Sequence, residues 1–333
     1  MNLNKRIQLF SSLGDLLKNN SSEDFLNTIE KASQLNPWFT QNFIKKSFFA
    51  LSILLDEQKL KTWVSNYEIE KIEKKDVLII MAGNIPMVGF HDLLCVLICG
   101  HNAILKFSSK DSLLMKFIID LLISLDSSLI NRIKIVDDIV KCKFDAIIAT
   151  GSDNSSNYFN YYFKDYKSII RKNRRSIAIL NGYETDEHLK LLSKDIFMYF
   201  GLGCRNVSKL YVPINFDIDR LFKAFYSFKD LINHTKYANN YDYNKTVYLM
   251  NSEKIIDNGF VLLKEDISIQ SPVATLFYEY YKDKNDLYNY IEENRFLFQC
   301  IVDGEEVDYG QTQFPGLDDY SDKKDTIEFL SNI

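Results

Sequence analysis

From residue 76 the chain repeats one pattern: a short apolar run closed by a turn, then residues at helical spacing. The first run, Val77-Leu78-Ile79-Ile80-Met81-Ala82, is apolar at every position and is stopped by Gly83. A strand apolar on both faces must be covered on both. Runs at 103–107, 133–136 and 145–149 repeat it, and helical stretches at 91–99 and 112–125 lie between the first three. Strands alternating with helices form βαβ units, and the crossovers make the sheet mostly parallel. A run at 176–180 is expected to close this first sheet. Beyond it the pattern predicts helix 186–199, strand 209–213, helix 217–228, strands 245–251 and 273–281, helix 283–293 and strand 296–302. That is a second α/β domain. The first 75 residues read as helices, with Ser22 as N-cap of one that runs through Glu30 and Pro37 opening another near Trp38. The tail from 310 to 330 is rich in Asp and reads as loop.

A length of 333 residues is more than one core usually serves, which agrees with two domains. An apolar fraction of 46% and a charged fraction of 26% exclude a disordered or low-complexity chain. No apolar run reaches the ~20 residues of a membrane span. The N-terminus lacks a signal-peptide apolar block, so a cytoplasmic protein is expected. A net charge of −5 is not the basic footprint of a general nucleic-acid binder. The 24 Phe and 20 Tyr suit a large core, an acyl tunnel or a subunit interface, and composition does not choose among these.

Four places offer chemistry. Gly83-Asn84-Ile85-Pro86 follows the first buried strand, where ligands of open α/β sheets sit. The Asn84 amide can donate to a developing oxyanion, or the segment is simply a turn. Thr150-Gly151-Ser152 stands between a strand and a helix expected to begin near Asn154. Its glycine and the helix N-terminus can accept a pyrophosphate, or Ser152 is an ordinary cap. The dinucleotide fingerprint G-x-G-x-x-G is absent. Lys106 ends the second strand, where it can reach the adenosine end of a dinucleotide or simply be solvated. Gly201-Leu202-Gly203-Cys204-Arg205 describes a backbone free to present a thiol, with an arginine to favour the thiolate. The other cysteines, Cys95, Cys99, Cys142 and Cys300, read as packing or inert residues, and none of the five has zinc-type spacing. No metal is expected, and a reducing compartment fits. His91 and His101 flank one helix and read as structural, with no paired acid at fixed spacing.

The order of these segments resembles the aldehyde dehydrogenase superfamily. More closely, MAGNIPMVGFHDLLCVLICGHNAILKFSSKD, the Thr-Gly-Ser segment, GLGCRNVSKLYVP and QTQFPGLDDYSDKKDT look like the LuxC-type acyl-CoA reductases, over roughly residues 76–330. The resemblance implies an aldehyde-dehydrogenase-like fold: two Rossmann-like α/β domains with an N-terminal helical segment. On that reading 1–75 is the helical segment and 76–182 the dinucleotide-binding domain. Residues 183–310 form the catalytic domain with the cysteine, and 311–333 a tail suited to an oligomer contact. Carried over by position, Cys204 matches the catalytic nucleophile and Asn84 the oxyanion amide. Lys106 matches the lysine on the adenine ribose, and Gly151 and Ser152 the pair near the pyrophosphate. Glu265 matches the glutamate on the nicotinamide ribose, with Asp266 an equal candidate.

Two departures refine this. Hydrolytic relatives carry a Glu-Leu-Gly-Gly motif whose Glu activates water, and the matching Ile170-Arg171-Lys172-Asn173-Arg174-Arg175 has no acid. Without a general base a thioester is not readily released by water, so acyl and hydride transfer are implied. The basic run is expected to attract phosphates of coenzyme A or of the cofactor. The dehydrogenase pattern Lys-Pro-Ser-Glu repels a 2′-phosphate with its Glu. Here Ser109 stands in that place, followed by Lys110, which favours NADPH with NADH as the alternative. The implied activity is an NADPH-dependent acyl-CoA reductase forming an S-acyl cysteine and releasing an aldehyde. A homo-oligomer is implied, with room for an acyltransferase or acyl-protein synthetase partner. The alternatives are an acyl phosphate or carrier-protein thioester as donor, an aldehyde dehydrogenase, or a noncatalytic binding module.

Overall fold

The computed structural model describes residues 1–18, 20–70, 72–140 and 142–333, with every side chain of these except that of Asp153. The chain forms two compact units, 1–173 with 315–333, and 174–314.

The first unit opens with helices α1 (Leu3–Lys18), α2 (Glu23–Leu35), α3 (Gln41–Leu54) and α4 (Glu57–Val64). Ser22 caps α2 as expected, its hydroxyl accepting the Phe25 N–H. The helix expected at Pro37 begins later, because Asn36 to Phe39 closes a turn and Thr40 supplies the cap. Then come β1 (Asp76–Ile80), α5 (Phe90–Cys99), β2 (Asn102–Lys106), α6 (Ser112–Leu125), β3 (Ile133–Ile135), β4 (Ala146–Thr150), α7 (Asp153–Tyr162) and β5 (Lys167–Arg171). The five strands form a parallel sheet in the order β3-β2-β1-β4-β5. The β1 run Val77-Leu78-Ile79 is wholly buried. Helix α5 is buried almost all round, as its apolar run Leu93–Cys99 requires.

The second unit holds β6 (Arg175–Ile179), α8 (Asp186–Phe197), β7 (Val207–Pro213), α9 (Asp219–Phe225), α10 (Thr235–Met250), β8 (Ile256–Asp257), β9 (Leu262–Glu265), β10 (Thr275–Tyr281), α11 (Lys284–Glu293) and β11 (Phe298–Val302). Its sheet runs β11-β6-β7-β10-β9-β8, parallel except for the short β8. A last helix, α12 (Thr326–Ser331), returns to the first unit.

Three expectations are corrected. The run at 176–180 pairs in the second sheet, and the unforeseen β5 closes the first. As an edge strand with the sequence Lys-Ser-Ile-Ile-Arg, β5 carries too little apolar signal to be read. Residues 245–251, expected as a strand, lie mostly in α10, whose buried Tyr237, Tyr241, Asn244 and Tyr248 make a helical stripe that Thr-Val-Tyr-Leu-Met obscures. The tail is more than loop: Leu317, Tyr320, Ile327 and Leu330 enter the core of the first unit. Buried His101 helps hold it, with Nδ1 accepting the Lys75 N–H and Nε2 at 3.0 Å from the Leu330 carbonyl. No described helix is long and apolar enough to cross a membrane.

Candidate active site

In the first unit the chain builds outward from β1 to β2 and β3, then crosses to β4 and β5 on the other side. The switch point, where open α/β sheets bind ligands beyond the carboxyl ends of their strands, lies between β1 and β4. Asn84 follows β1, Gly151 and Ser152 follow β4, and Lys106 ends β2 beside β1, so one sheet edge gathers four of the expected residues. Ser109, on the loop after β2, is exposed, as are Asn84 and Ser152. Ser152 caps α7, its hydroxyl accepting the Ser155 N–H at 3.3 Å. The free N–H groups of that first turn suit an anion. The loops after β1 and β2 touch: a Cβ on Gly83 would lie 2.4 Å from Ser108 Oγ. Asp111, 3% exposed, joins them further, its Oδ2 accepting the Met87 N–H at 2.7 Å. Met87 has a left-handed backbone, φ 57°. Burial pushes the Asp111 carboxyl well above the ordinary carboxylate range, against the pull of that N–H.

In the second unit Cys204 sits in the turn between α8 and β7, neither buried nor fully exposed. Before it, Tyr199, Phe200 and Gly201 are left-handed in succession, with φ 52°, 57° and 72°. Glycine takes this conformation freely, whereas two buried aromatic residues in it cost about 1–3 kcal/mol each. Aromatic packing offsets part of that cost, the Phe200 ring lying 4.4 Å from the His234 ring and 5.9 Å from that of Tyr237, centre to centre. The Asn206 amide spans the segment. Its Nδ2 donates to the Asp195 and Met198 carbonyls at 3.0 and 2.9 Å, and its Oδ1 accepts the Gly203 N–H at 2.8 Å. The Cys204 carbonyl accepts from Ser176 Oγ at 3.0 Å.

Other expected groups fall elsewhere. Arg205 Nη1 lies 3.2 Å from the Cys300 sulfur, so a second thiol draws on the guanidinium expected to serve Cys204. Glu265 ends β9 in register with Tyr278 and, across β10, with Leu210, while Cys204 precedes β7. Glu265 is exposed, whereas Asp266 is engaged by Lys264 Nζ at 2.6 Å and by the Ser268 N–H at 2.8 Å. Arg171 does not face solvent to meet phosphates: it is buried against Asp92 at 2.5 Å and Thr326 at 2.9 Å. Burial raises the Cys95 thiol and pushes that of Cys99 up to about 12, as expected of packing residues. His91 is structural too, its Nε2 at 2.9 Å from the Leu317 carbonyl. Among the described residues no group of His, Cys, Asp or Glu could hold a metal ion.

Asp111 and Asn206 escaped the sequence reading. The available signal was a polar residue placed just where a loop enters a buried helix or strand.

The fold is shared with known proteins. The chain is similar in structure to aldehyde dehydrogenase 21 of Physcomitrella patens in complex with succinate, at a TM-score of 0.71 and 12% identity, over 100% of this chain and 84% of that one. It is similar to a Mycobacterium tuberculosis aldehyde dehydrogenase complexed with NAD+, at 0.67 and 10%, again over 100% and 84%. Indole-3-acetaldehyde dehydrogenase of P. syringae matches at 0.68 and 12%, over 92% and 78%. Identities this low establish the fold, which is that of the aldehyde dehydrogenases. None of the curated proteins compared matches the chain. The family model described as acyl-CoA reductase (LuxC) matches residues 16–220, more than half of the chain and inclusive of both the Asn84 and the Cys204 turns. The chain therefore belongs to the LuxC family of acyl-CoA reductases, oxidoreductases of acyl and aldehyde groups.

Proposed function

We propose that the protein reduces an acyl-CoA to an aldehyde through an S-acyl intermediate on Cys204, with NADPH as the preferred cofactor. The observation that carries this reading is the Cys204 turn, a partly accessible thiol whose two neighbouring carbonyls are both held. As thiolate, Cys204 attacks the thioester carbonyl, the C–S bond to coenzyme A breaks, and coenzyme A leaves as its thiol after protonation. Asn84 Nδ2 and the Cys204 N–H stabilise the oxyanion.

The first unit suits a dinucleotide. A capped helix N-terminus and Gly151 stand at the switch point for a pyrophosphate, and Lys106 ends the adjacent strand. Ser109 and Lys110 are exposed where an acid would repel a 2′-phosphate, which supports NADPH over NADH. Four of the structural neighbours are NAD+ complexes. When bound, the reduced nicotinamide supplies the hydride that converts the acyl group to an aldehyde. Glu265 is the candidate for its ribose, because Asp266 is already committed to Lys264. Cytoplasmic residence, a homo-oligomer and an acyltransferase or acyl-protein synthetase partner belong to the same proposal through the family resemblance.

The test is intact-mass spectrometry after mixing with acyl-CoAs of graded chain length. An adduct of acyl mass on Cys204, discharged by NADPH, is expected. Absence of any adduct across the series overturns the proposal. Equal or better kcat/KM with NADH overturns the cofactor preference.

A further inference from the structure

We infer that Asn206 is a positioning residue for Cys204: its carboxamide holds the turn together, and within that turn its main-chain N–H fixes the Gly203 carbonyl and with it the direction of the Cys204 N–H. This deepens the reading of Cys204 as acyl acceptor and rests on it. Asn206 is 2% exposed and meets the turn at several points. Its Nδ2 takes the Asp195 and Met198 carbonyls at the end of α8, groups that a helix terminus leaves unsatisfied. Its Oδ1 takes the Gly203 N–H. Its own N–H donates to the Gly203 carbonyl at 3.1 Å. Gly203 is thus gripped at both of its polar groups by one residue.

The consequence follows from peptide planarity. The Gly203 carbonyl and the Cys204 N–H belong to one plane and point in opposite directions. Holding the carbonyl on the Asn206 main-chain N–H therefore aims the Cys204 N–H, the main-chain oxyanion donor of the proposed reaction, and the carboxamide keeps that main chain in place. On the other side Ser176 Oγ holds the Cys204 carbonyl. The backbone of the nucleophile is fixed fore and aft. The left-handed run Tyr199-Phe200-Gly201 lies between the carbonyls that Nδ2 ties and the amide that Oδ1 ties, so the carboxamide spans the strained segment from end to end. An asparagine suits the place because one end of its side chain donates and the other accepts. An aspartate there sets a carboxylate oxygen against two carbonyls.

The experiment uses the full chain, with dodecanoyl-CoA as acyl probe and iodoacetamide as a probe of the thiol itself. Asn206→Ala, checked for folding by its thermal midpoint, is expected to lose about a hundredfold in the rate of acylation, with the NADPH concentration for half-saturation unchanged. Asn206→Asp is expected to recover as pH falls and its carboxyl gains a proton to donate, opposite to the thiolate-driven profile of the unmodified chain. A folded Asn206→Ala that acylates within threefold of the unmodified chain overturns the inference. If the variants do not fold, hydrogen exchange at the Gly203 amide of the unmodified chain decides: protection supports the clamp, and exchange at the rate of an open peptide overturns it. If the unmodified chain forms no acyl adduct, the proposed reaction fails by itself. The pH profiles of iodoacetamide labelling at Cys204 then still decide the clamp: a displaced profile in Asn206→Ala upholds it, and identical profiles sink it.

Discussion

In the first unit the turn after β1 passes through left-handed Met87, and the carboxyl of buried Asp111 accepts the Met87 N–H. In the second, the turn before β7 follows left-handed Tyr199 and Phe200, and the buried amide of Asn206 ties its two ends. Both turns carry a proposed oxyanion donor, and both rest on one buried polar side chain. The side chains differ in kind. Asp111 has only to accept, whereas Asn206 has to donate and accept at once, which a carboxylate does not do. The choice has a price in titration: Asp111 Oδ1 is buried without a hydrogen bond, so its ionised form is compensated at Oδ2 alone, while an amide does not titrate. The β1 turn is therefore open to pH in a way that the β7 turn is not.

The sharpest way to separate the turns is to remove what each contributes. Cys204→Ser is expected to abolish both the acyl adduct and aldehyde formation, read by intact mass and by NADPH oxidation. Substantial residual reductase activity sinks the covalent scheme. Next in size is Arg171→Met in the first unit. It leaves Asp92 buried and unpaired, which costs about 3–5 kcal/mol. Urea unfolding measures it. A stable variant with a raised KM for acyl-CoA would restore the phosphate role that the buried pairing argues against. Asn84→Ala removes one oxyanion donor and is expected to slow acylation about a hundredfold with folding intact. A rate within threefold of the unmodified chain would leave the β1 turn as a turn alone.

How far each turn was legible follows from what kind of signal it leaves. The strand Val77-Leu78-Ile79-Ile80 announces itself because burial on both faces demands an unbroken apolar run. The order of strand ends then locates Asn84, Lys106, Gly151 and Ser152 on one edge, which the sheet order reproduces. Pairing across a sheet is non-local and leaves weaker marks. Residues 176–180 look like the next strand of the first sheet, and only the register to Val207 and to β11 assigns them to the second. In α10 the apolar end Val247-Tyr248-Leu249-Met250 imitates a strand because the polar Asn239-Asn240 and Asp242 hide the tyrosine stripe before it. Arg171 reads as a solvated cation because its partners Asp92 and Thr326 are distant in sequence. Asn206 and Asp111 share that difficulty: a buried polar residue is recognised by its hydrogen bonds, and those depend on the folded backbone.

A stability measurement tests whether the second unit escapes pH altogether. Asp195 gives Asn206 one of its carbonyls, and its own carboxyl accepts from the Gly310 N–H at 2.6 Å, the Thr312 N–H at 3.0 Å and the Thr312 hydroxyl at 2.8 Å. Burial, opposed by these donors, raises the carboxyl from 3.8 to about 6. The amide clamp does not titrate, but its support does. Well below pH 3.8 the carboxyl is protonated folded and unfolded alike, and its contribution is complete. As pH rises, the unfolded chain releases its proton first while the native state keeps its own, so stability falls until the native carboxyl ionises near 6. Above that the deficit is constant, about 3 kcal/mol by linkage. Asp195→Asn retains an acceptor oxygen and cannot titrate, so its stability relative to the unmodified chain should improve steadily from pH 4 to 6 and level off above. Urea unfolding of both proteins across that range measures the difference. A gap independent of pH would show that Asp195 is not the titrating support, and the contrast between the two turns would then stand without this exception.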